Sequence, residues 1–280
     1  MTSRPPLPTS TFEVSPTDED VDSFHELGYA SFERITTDDE LEWLRAVYDE
    51  LFAEKTGAFP GGYFDLARPY DAPGQDRLPQ ILVPELRVPE LRDTTYARNG
   101  RRIASALLGV PEDTLQTWGH MILKPARYGS ETPWHQDEAY WDIELAYNAI
   151  GAWMPLDPAT VDSGCLHFVP GSHRGPVLRH RHISDDPAVH GLWTDEAETA
   201  DAVAVPLPAG GTTFHHPRTL HHAGPNTTDV QRRAYANEFQ QAPTRRDVAA
   251  DHPWVTEGQV EWEKRDKIQA ALAHRDARAR

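Results

Sequence analysis

The chain has 280 residues, 39% hydrophobic and 25% charged, which places it with soluble globular proteins of ample length for a buried core. No apolar run approaches the roughly 18–20 residues that a membrane span needs, and the Pro-rich start over residues 1–11 lacks the apolar stretch of a signal peptide. A net charge of −17 argues against nucleic acid and anionic membranes as partners and fits a solvated acidic surface, while the single cysteine, Cys165, excludes an internal disulfide and fits a reducing, cytoplasmic setting.

In chain order, residues 1–16 form a loose lead-in. Asp18–Leu27 reads as a short helix with acidic residues in its first turn, where the helix dipole favours them, and Gly28 stops it. Tyr29–Phe32 is a candidate strand. Thr37 followed three residues later by Glu40 is a capping-box-like start. The helix it opens runs to about Glu54, with Leu41, Leu44, Val47 and Leu51 at helical spacing, as expected of an outer helix packed on a sheet. Residues 56–80 mix Gly, Pro and aromatics without a period and read as a long ordered loop. Pro84–Leu108 is expected to be helical in two pieces, the second being Thr95–Leu108.

From Leu115 the character changes. Short runs rich in Trp, Ile, Val and Phe alternate with Gly/Pro turns: Thr117–Leu123, Asn148–Leu156, Cys165–Val169, Ala202–Leu207, Thr212–Phe214 and Arg232–Phe239. Several short strands with turn signals suggest a sandwich or barrel. A polar, His- and Asp-rich insertion at 174–201 interrupts them and is long enough to be a lid. The charged, Ala-rich stretch from Trp254 to Arg280 is expected to be a terminal helix. The whole is expected to be one domain: a mainly helical part over 1–114, a β core over 115–240 and a helical tail over 241–280.

The chemistry concentrates in two pieces. Trp134-His135-Gln136-Asp137 offers an imidazole and a carboxylate two residues apart, and on a strand residues i and i+2 share a face. With fourteen histidines in the chain, such a pair alone is unremarkable. The distal piece, Leu220-His221-His222-Ala223-Gly224-Pro225-Asn226, reads as a turn and precedes Arg232. His215, His216, His221 and His222 are all candidate third ligands; spacing to the charged Arg232 favours His221. A strand pair following that turn would set Arg232 beside the metal, its planar guanidinium offering a fork for a carboxylate such as the far end of a chelating 2-oxo acid. Two His and one carboxylate with open positions opposite is the arrangement of non-haem Fe(II) oxygenases. Zn²⁺ accepts the same ligands, but no His-Glu-x-x-His helix supplies the general base a zinc hydrolase would use, and Mg²⁺ prefers more oxygen. A binding protein with a structural metal has no need of the triad and Arg232 together. His173 in Pro-Gly-Ser-His is expected to hold a turn, Arg233 to form a surface ion pair, and Cys165 to be a small buried residue.

These pieces, with Gly164-Cys165-Leu166 through Pro170-Gly171-Ser172-His173, resemble the phytanoyl-CoA dioxygenase family of Fe(II)/2-oxoglutarate-dependent oxygenases over residues 115–240. Phe24-His25-Glu26-Leu27-Gly28-Tyr29 resembles the family's opening more faintly. The resemblance implies a mainly β fold with flanking helices around a double-stranded β-helix (jelly-roll, cupin-like) core. It implies His135, Asp137 and His221 as iron ligands and Arg232 as the partner of the distal carboxylate of 2-oxoglutarate. Gln136, Trp153 and His120 would line the co-substrate site. Retention of Asp137, where halogenating relatives carry a small residue, implies hydroxylation or a related oxidation by O2. Tyr140, Trp141, Trp193 and the 174–201 insertion are the expected substrate contacts. No basic cluster suits the phosphates of coenzyme A beyond residues 179–182, so the expected substrate is a small secondary metabolite.

Overall fold

A computed structural model describes residues 5–55, 57, 62–68, 73–185, 189 and 191–257. The order is α1 (Asp18–Leu27), β1 (Tyr29–Phe32), α2 (Asp38–Glu54), β2 (Tyr63–Asp65), β3 (Pro79–Leu82), α3 (Thr95–Leu108), β4 (Gln116–Lys124), β5 (Thr132–His135), β6 (Leu145–Ala146), β7 (Ala149–Pro155), β8 (Leu166–Phe168), β9 (Arg181–His182), β10 (Leu192–Trp193), β11 (Val203–Val205), β12 (Thr212–His215), β13 (His221–Ala223), β14 (Arg232–Gln240), β15 (Thr244–Arg245) and α4 (Pro253–Glu257). Two antiparallel sheets dominate. The larger has the order β1-β12-β7-β14-β4-β3-β2 and the smaller β11-β8-β13-β5, and together they form the expected jelly roll.

Strand alternation divides the larger sheet into two chemistries. Ile150, Ala152 and Met154 of β7, Tyr235 and Phe239 of β14, Met121 of β4 and Phe214 of β12 face the helices. There they meet Leu44, Val47, Tyr48 and Leu51 of α2 and Tyr96, Ile103 and Leu107 of α3. Each large apolar side chain buried in this layer contributes about 1.5–3 kcal/mol. Gly100 lets α3 approach closely, since a Cβ there would stand 2.7 Å from the Phe239 ring. The Tyr96 hydroxyl donates to the carbonyls of Tyr235 (3.0 Å) and Ala152 (3.2 Å), fixing α3 across β14 and β7. The alternate residues, Trp153, Ala234 and Ala236, turn towards the smaller sheet and pack with Tyr29, Leu166, Phe168 and Ala223.

Several expectations change in detail. The 56–80 stretch is not a simple loop: Tyr63–Asp65 and Pro79–Leu82 extend the larger sheet beyond β4. These strands are too short and too Pro-rich to give a readable alternation. Thr37 does cap α2, accepting from the Glu40 amide at 3.2 Å. The Glu40 carboxylate does not return to it; it accepts instead from the Thr36 hydroxyl (2.6 Å) and the amides of Thr95 (2.5 Å) and Tyr96 (2.9 Å), thereby capping α3. The full capping box belongs to Thr17 and Asp20 at α1. Pro84–Leu108 begins with two 3-10 turns, Pro84–Leu86 and Pro89–Asp93, before α3. Of the expected terminal helix, Pro253–Glu257 is present and 258–280 lies outside the described residues. Arg233 forms the expected surface ion pair with the exposed Asp49 (2.9 Å) and a second, largely buried one with Asp157 (2.8 Å). Among the described residues no helix is long and apolar enough to cross a membrane.

Candidate active site

The smaller sheet sets two histidines opposite each other. β13 and β5 are antiparallel neighbours and His221 is registered directly on His135. The ring centroids are 4.2 Å apart. His221 therefore lies on a strand, not in the turn expected of that segment; the turn begins after Ala223. β5 ends at His135, and Asp137 opens a 3-10 turn, Asp137–Tyr140. Gln136 between them keeps an extended backbone (φ −124°, ψ 132°). The two-residue alternation thus survives past the end of the ladder, and Asp137 faces the same side as His135. Asp137 Oδ1 stands 3.6 Å from His135 Nε2 and 3.6 Å from His221 Nε2. One ligand atom from each of the three residues lies within 4.8 Å of the others, the spacing at which a single metal ion can be held.

Backbone contacts set the tautomers. His135 Nδ1 is 2.7 Å from the Pro133 carbonyl and His221 Nδ1 is 2.9 Å from the Thr219 carbonyl. Carbonyls only accept, so each Nδ1 carries the proton and each Nε2 keeps its lone pair towards the cluster. Burial, reinforced by the neighbouring His135, lowers the His221 pKa to about 3, so this imidazole is neutral at physiological pH. Burial alone would push the Asp137 carboxyl up; the pull of the neighbouring His221 and the hydrogen bond from His215 outweigh it and hold the group well below the usual carboxylate range. Its side chain keeps 30% exposure because it opens onto a cavity. A neutral His221 imidazole, a His135 Nε2 aimed at the cluster and an ionised Asp137 carboxylate suit a divalent metal.

That cavity, of about 360 Å³, runs between the sheets. Arg232 enters it from the opposite wall. β13 and β14 belong to different sheets and do not pair, so Arg232 is not the neighbouring-strand residue expected from the sequence; β14 lies between β4 and β7. Its guanidinium is 1% exposed and lies 5.2 Å from the Trp153 ring centroid. Neither Nε nor Nη1 has a hydrogen-bond partner. Burial lowers its pKa to about 10. Lys124, its registered partner on β4, is also buried, and its ammonium donates to the carbonyls of Ser130 (2.7 Å), Ala223 (3.0 Å) and Gly224 (2.6 Å). Burial and the neighbouring Arg232 push the Lys124 pKa well down, whereas Arg232, a buried cation with unspent donors, makes a site for an anion.

His120, Trp153, Tyr140 and Trp141 line the cavity with the triad and Arg232. His120 is fixed by Gln80 at 2.6 Å. Phe64, Leu66, Leu82 and Trp118 complete an apolar wall, with Glu238 at its polar edge. Two expected residues go elsewhere. The Gln136 side chain, on the opposite face from its neighbours, donates to the Arg218 carbonyl (2.8 Å) and the Pro176 carbonyl (3.3 Å) and accepts from the Leu178 amide (2.7 Å). Trp193 pairs with Arg181 in the β9–β10 hairpin and does not line the cavity. The insertion carrying it braces the ligand segment from outside. The Gln136 amide donates to His180 Nε2 (3.1 Å), the Thr194 amide to the Trp134 carbonyl (3.0 Å) and the Leu192 amide to the Tyr140 oxygen (2.7 Å). Trp254 of α4 adds a bond from its indole nitrogen to the Ala139 carbonyl at 2.9 Å.

Of the other distal histidines, His222 stacks on Trp134 at 4.9 Å on the far side of the small sheet, and His216 packs against His173. His173 holds its turn through Nε2 to the His25 carbonyl at 3.2 Å. His215 lines the cavity and reaches Asp137 Oδ2 at 3.1 Å, a contact that spacing along the chain could not reveal. Glu238 was legible in principle, since it lies an even number of residues from Arg232 on one strand.

The comparisons agree with this geometry. The family model described as Phytanoyl-CoA dioxygenase (PhyH) matches residues 24–234. A probable phytanoyl-CoA dioxygenase of Caenorhabditis elegans is 32% identical over 148 residues, 49% of this chain and 47% of the relative; the match spans about half the length of that curated protein. Among solved structures, EvdO2 from Micromonospora carbonacea var. aurantiaca, complexed with 2-oxoglutarate, is 44% identical, with 87% of this chain and 99% of that chain covered and a TM-score of 0.75. SnoK, a non-haem alpha-ketoglutarate-dependent carbocyclase from nogalamycin biosynthesis, is 26% identical over 86% of this chain and 91% of its own, with a TM-score of 0.64. With the model matching well over half of its length, the chain belongs to the phytanoyl-CoA dioxygenase family.

Proposed function

We propose that this protein is an Fe(II)/2-oxoglutarate-dependent oxygenase that oxidises an unactivated C–H bond of a small molecule, with secondary metabolism as its setting. The observation that carries the reading is one cavity holding both parts of the required machinery. The three convergent donors of His135, Asp137 and His221 occupy one wall, and the unpaired Arg232 fork the other. A binding module would have no use for a buried, unpartnered guanidinium.

When bound, iron and 2-oxoglutarate supply the oxidising power: the co-substrate and O2 become succinate and CO2, and one oxygen atom enters the substrate. The chain's own residues prepare this. His135 and His221 present lone pairs fixed by the Pro133 and Thr219 carbonyls. Asp137 supplies negative charge without competing for a proton. Arg232 would hold the distal carboxylate of the co-substrate with its free N–H groups, its guanidinium carbon 5.2 Å from the Trp153 ring centroid. Tyr140, Trp141, Phe64 and Leu66 exclude water and hold the substrate's apolar surface. The similarity to SnoK from nogalamycin biosynthesis supports a natural-product substrate.

The test is oxygen consumption with succinate release in a screen of candidate metabolites, using Fe(II)-loaded protein. Succinate formed in step with oxygen uptake, and abolished by His135→Ala, is expected. Hydrolytic turnover with zinc and no oxygen uptake would overturn the proposal.

A further inference from the structure

His215 is a fourth histidine at the triad, and its environment differs from those of His135 and His221. It ends β12, registered on Gly151 of β7 and Tyr29 of β1. Its ring is 6% exposed and packs 4.7 Å from His221 and 5.5 Å from Phe168. His135 and His221 spend Nδ1 on backbone carbonyls and turn Nε2 to the cluster. His215 does the reverse: its buried Nδ1 has no partner, while Nε2 lies 3.1 Å from Asp137 Oδ2. A proton on Nδ1 would be an orphaned buried donor, cut off from water with no acceptor in its place. On Nε2 the same proton makes a charge-assisted bond to the carboxylate. Gly151 makes room for this placement, since a Cβ there would come within 2.7 Å of Nε2 and 3.0 Å of Cε1.

We infer that His215 is a positioning residue that divides the labour of the two Asp137 oxygens. It holds Oδ2 through its Nε2–H and leaves Oδ1, the oxygen 3.6 Å from both ligand Nε2 atoms, to the metal. The carboxylate is thereby prevented from turning both oxygens inward and occupying a position that the co-substrate or oxygen needs. The same bond explains why His215 is not itself a ligand: its cluster-facing nitrogen carries the proton. The inference rests on the proposed metal site and concerns a residue outside the triad.

The experiment is a Co(II) titration of the metal-free protein, read by affinity and by the visible ligand-field spectrum. His215→Phe removes the donor and keeps the ring's bulk. It is expected to bind Co(II) about 10–100-fold more weakly, the usual effect of losing a partner that orients a ligand, with an altered spectrum. His215→Gln can present an amide N–H at the position of Nε2, and restores affinity and spectrum towards the wild type. Gly151→Ala crowds the ring off Asp137 without touching a donor and behaves as His215→Phe does. Unchanged affinity and spectrum in a folded His215→Phe overturn the inference, as does equal loss in the Gln variant. Should the Phe variant fail to fold, Gly151→Ala with wild-type affinity and spectrum overturns it. Wild-type protein that binds no Co(II) contradicts the metal site itself, an outcome distinct from wild-type binding that the variants leave unaltered.

Discussion

Arg232→Met is expected to move two properties in opposite directions. In the protein without co-substrate, Arg232 is a buried cation whose Nε and Nη1 donate to nothing. Burial lowers its pKa from 12.5 to about 10, and at about 1.4 kcal/mol per pH unit the buried charge costs about 3 kcal/mol. Its contact with Trp153, 5.2 Å from the ring centroid, returns about 1 kcal/mol. Methionine, of similar length and free of charge, fills the space and relieves the cost of the buried charge, at the loss of the weaker contact with Trp153. The unliganded variant is therefore about 2 kcal/mol more stable, which for a domain of this size raises Tm by about 4–8 °C. The same substitution deletes the fork proposed to hold 2-oxoglutarate. Losing one side of a buried charge pair costs about 3–5 kcal/mol, a weakening of co-substrate binding by roughly two to four orders of magnitude. Differential scanning calorimetry with and without 2-oxoglutarate, metal present and oxygen excluded, reads both effects. The wild type melts lower alone and gains stability from the co-substrate; the variant melts higher alone and gains none. A variant that is less stable than the wild type, yet still stabilised by 2-oxoglutarate, would refute the reasoning, because Arg232 would then have a structural partner rather than an unfilled one.

The remaining predictions concern the support of the site. Gln136→Leu leaves the Leu178 amide and the carbonyls of Pro176 and Arg218 without their partner. At about 1–3 kcal/mol for a stranded buried group, it should lower stability by about 3 kcal/mol and open the 174–201 segment to proteolysis; a variant as stable and resistant as the wild type would show that this side chain does not brace the insertion. Acid should destabilise the metal-free protein through its buried neutral histidines. His180 and His221 have folded pKa values of about 4 and about 3, set chiefly by burial, below the ordinary 6.5. The unfolded chain therefore takes up protons that the folded chain refuses as pH falls below 6.5, and stability is lost down to the folded values. Each residue accounts for roughly 2 kcal/mol between pH 6.5 and 4.5. Urea titrations across that range measure the slope, and a flat profile would contradict it.

What the sequence disclosed follows from where its signals are local. The strands of the jelly roll are legible as short apolar and aromatic runs between turn residues, as at β4, β7 and β14, and α2 carries a clean apolar stripe. The triad is legible because His135 and Asp137 are two residues apart and Gln136 keeps the extended backbone between them. Arg232 is legible from its spacing after His221, although the strand pairing expected to bring it near the metal does not form. Pairing across a jelly roll joins β14 to β4 and β7 rather than to the preceding strand. Gln136 was misassigned for a related reason. It shares a short motif with two cavity-facing residues, but alternation sends it to the other face. β2 and β3 were hidden because strands of three and four residues have too few alternations to stand out among prolines and glycines. His215 was visible only as one of four equivalent distal histidines, and what distinguishes it, an Nε2 aimed at Oδ2, exists only once β12 is laid beside β7.

If His135, Asp137 and His221 hold Fe(II) in the chamber where Arg232 holds 2-oxoglutarate, the two must bind as one spectroscopic unit. Anaerobic titration of the metal-free protein with Fe(II), then with 2-oxoglutarate, tests this most directly. The expected result is a visible metal-to-ligand charge-transfer band that saturates at one iron and one 2-oxoglutarate per chain and is lost in His135→Ala. Folded wild-type protein that binds Fe(II) weakly or not at all, and develops no such band on addition of 2-oxoglutarate, would contradict it.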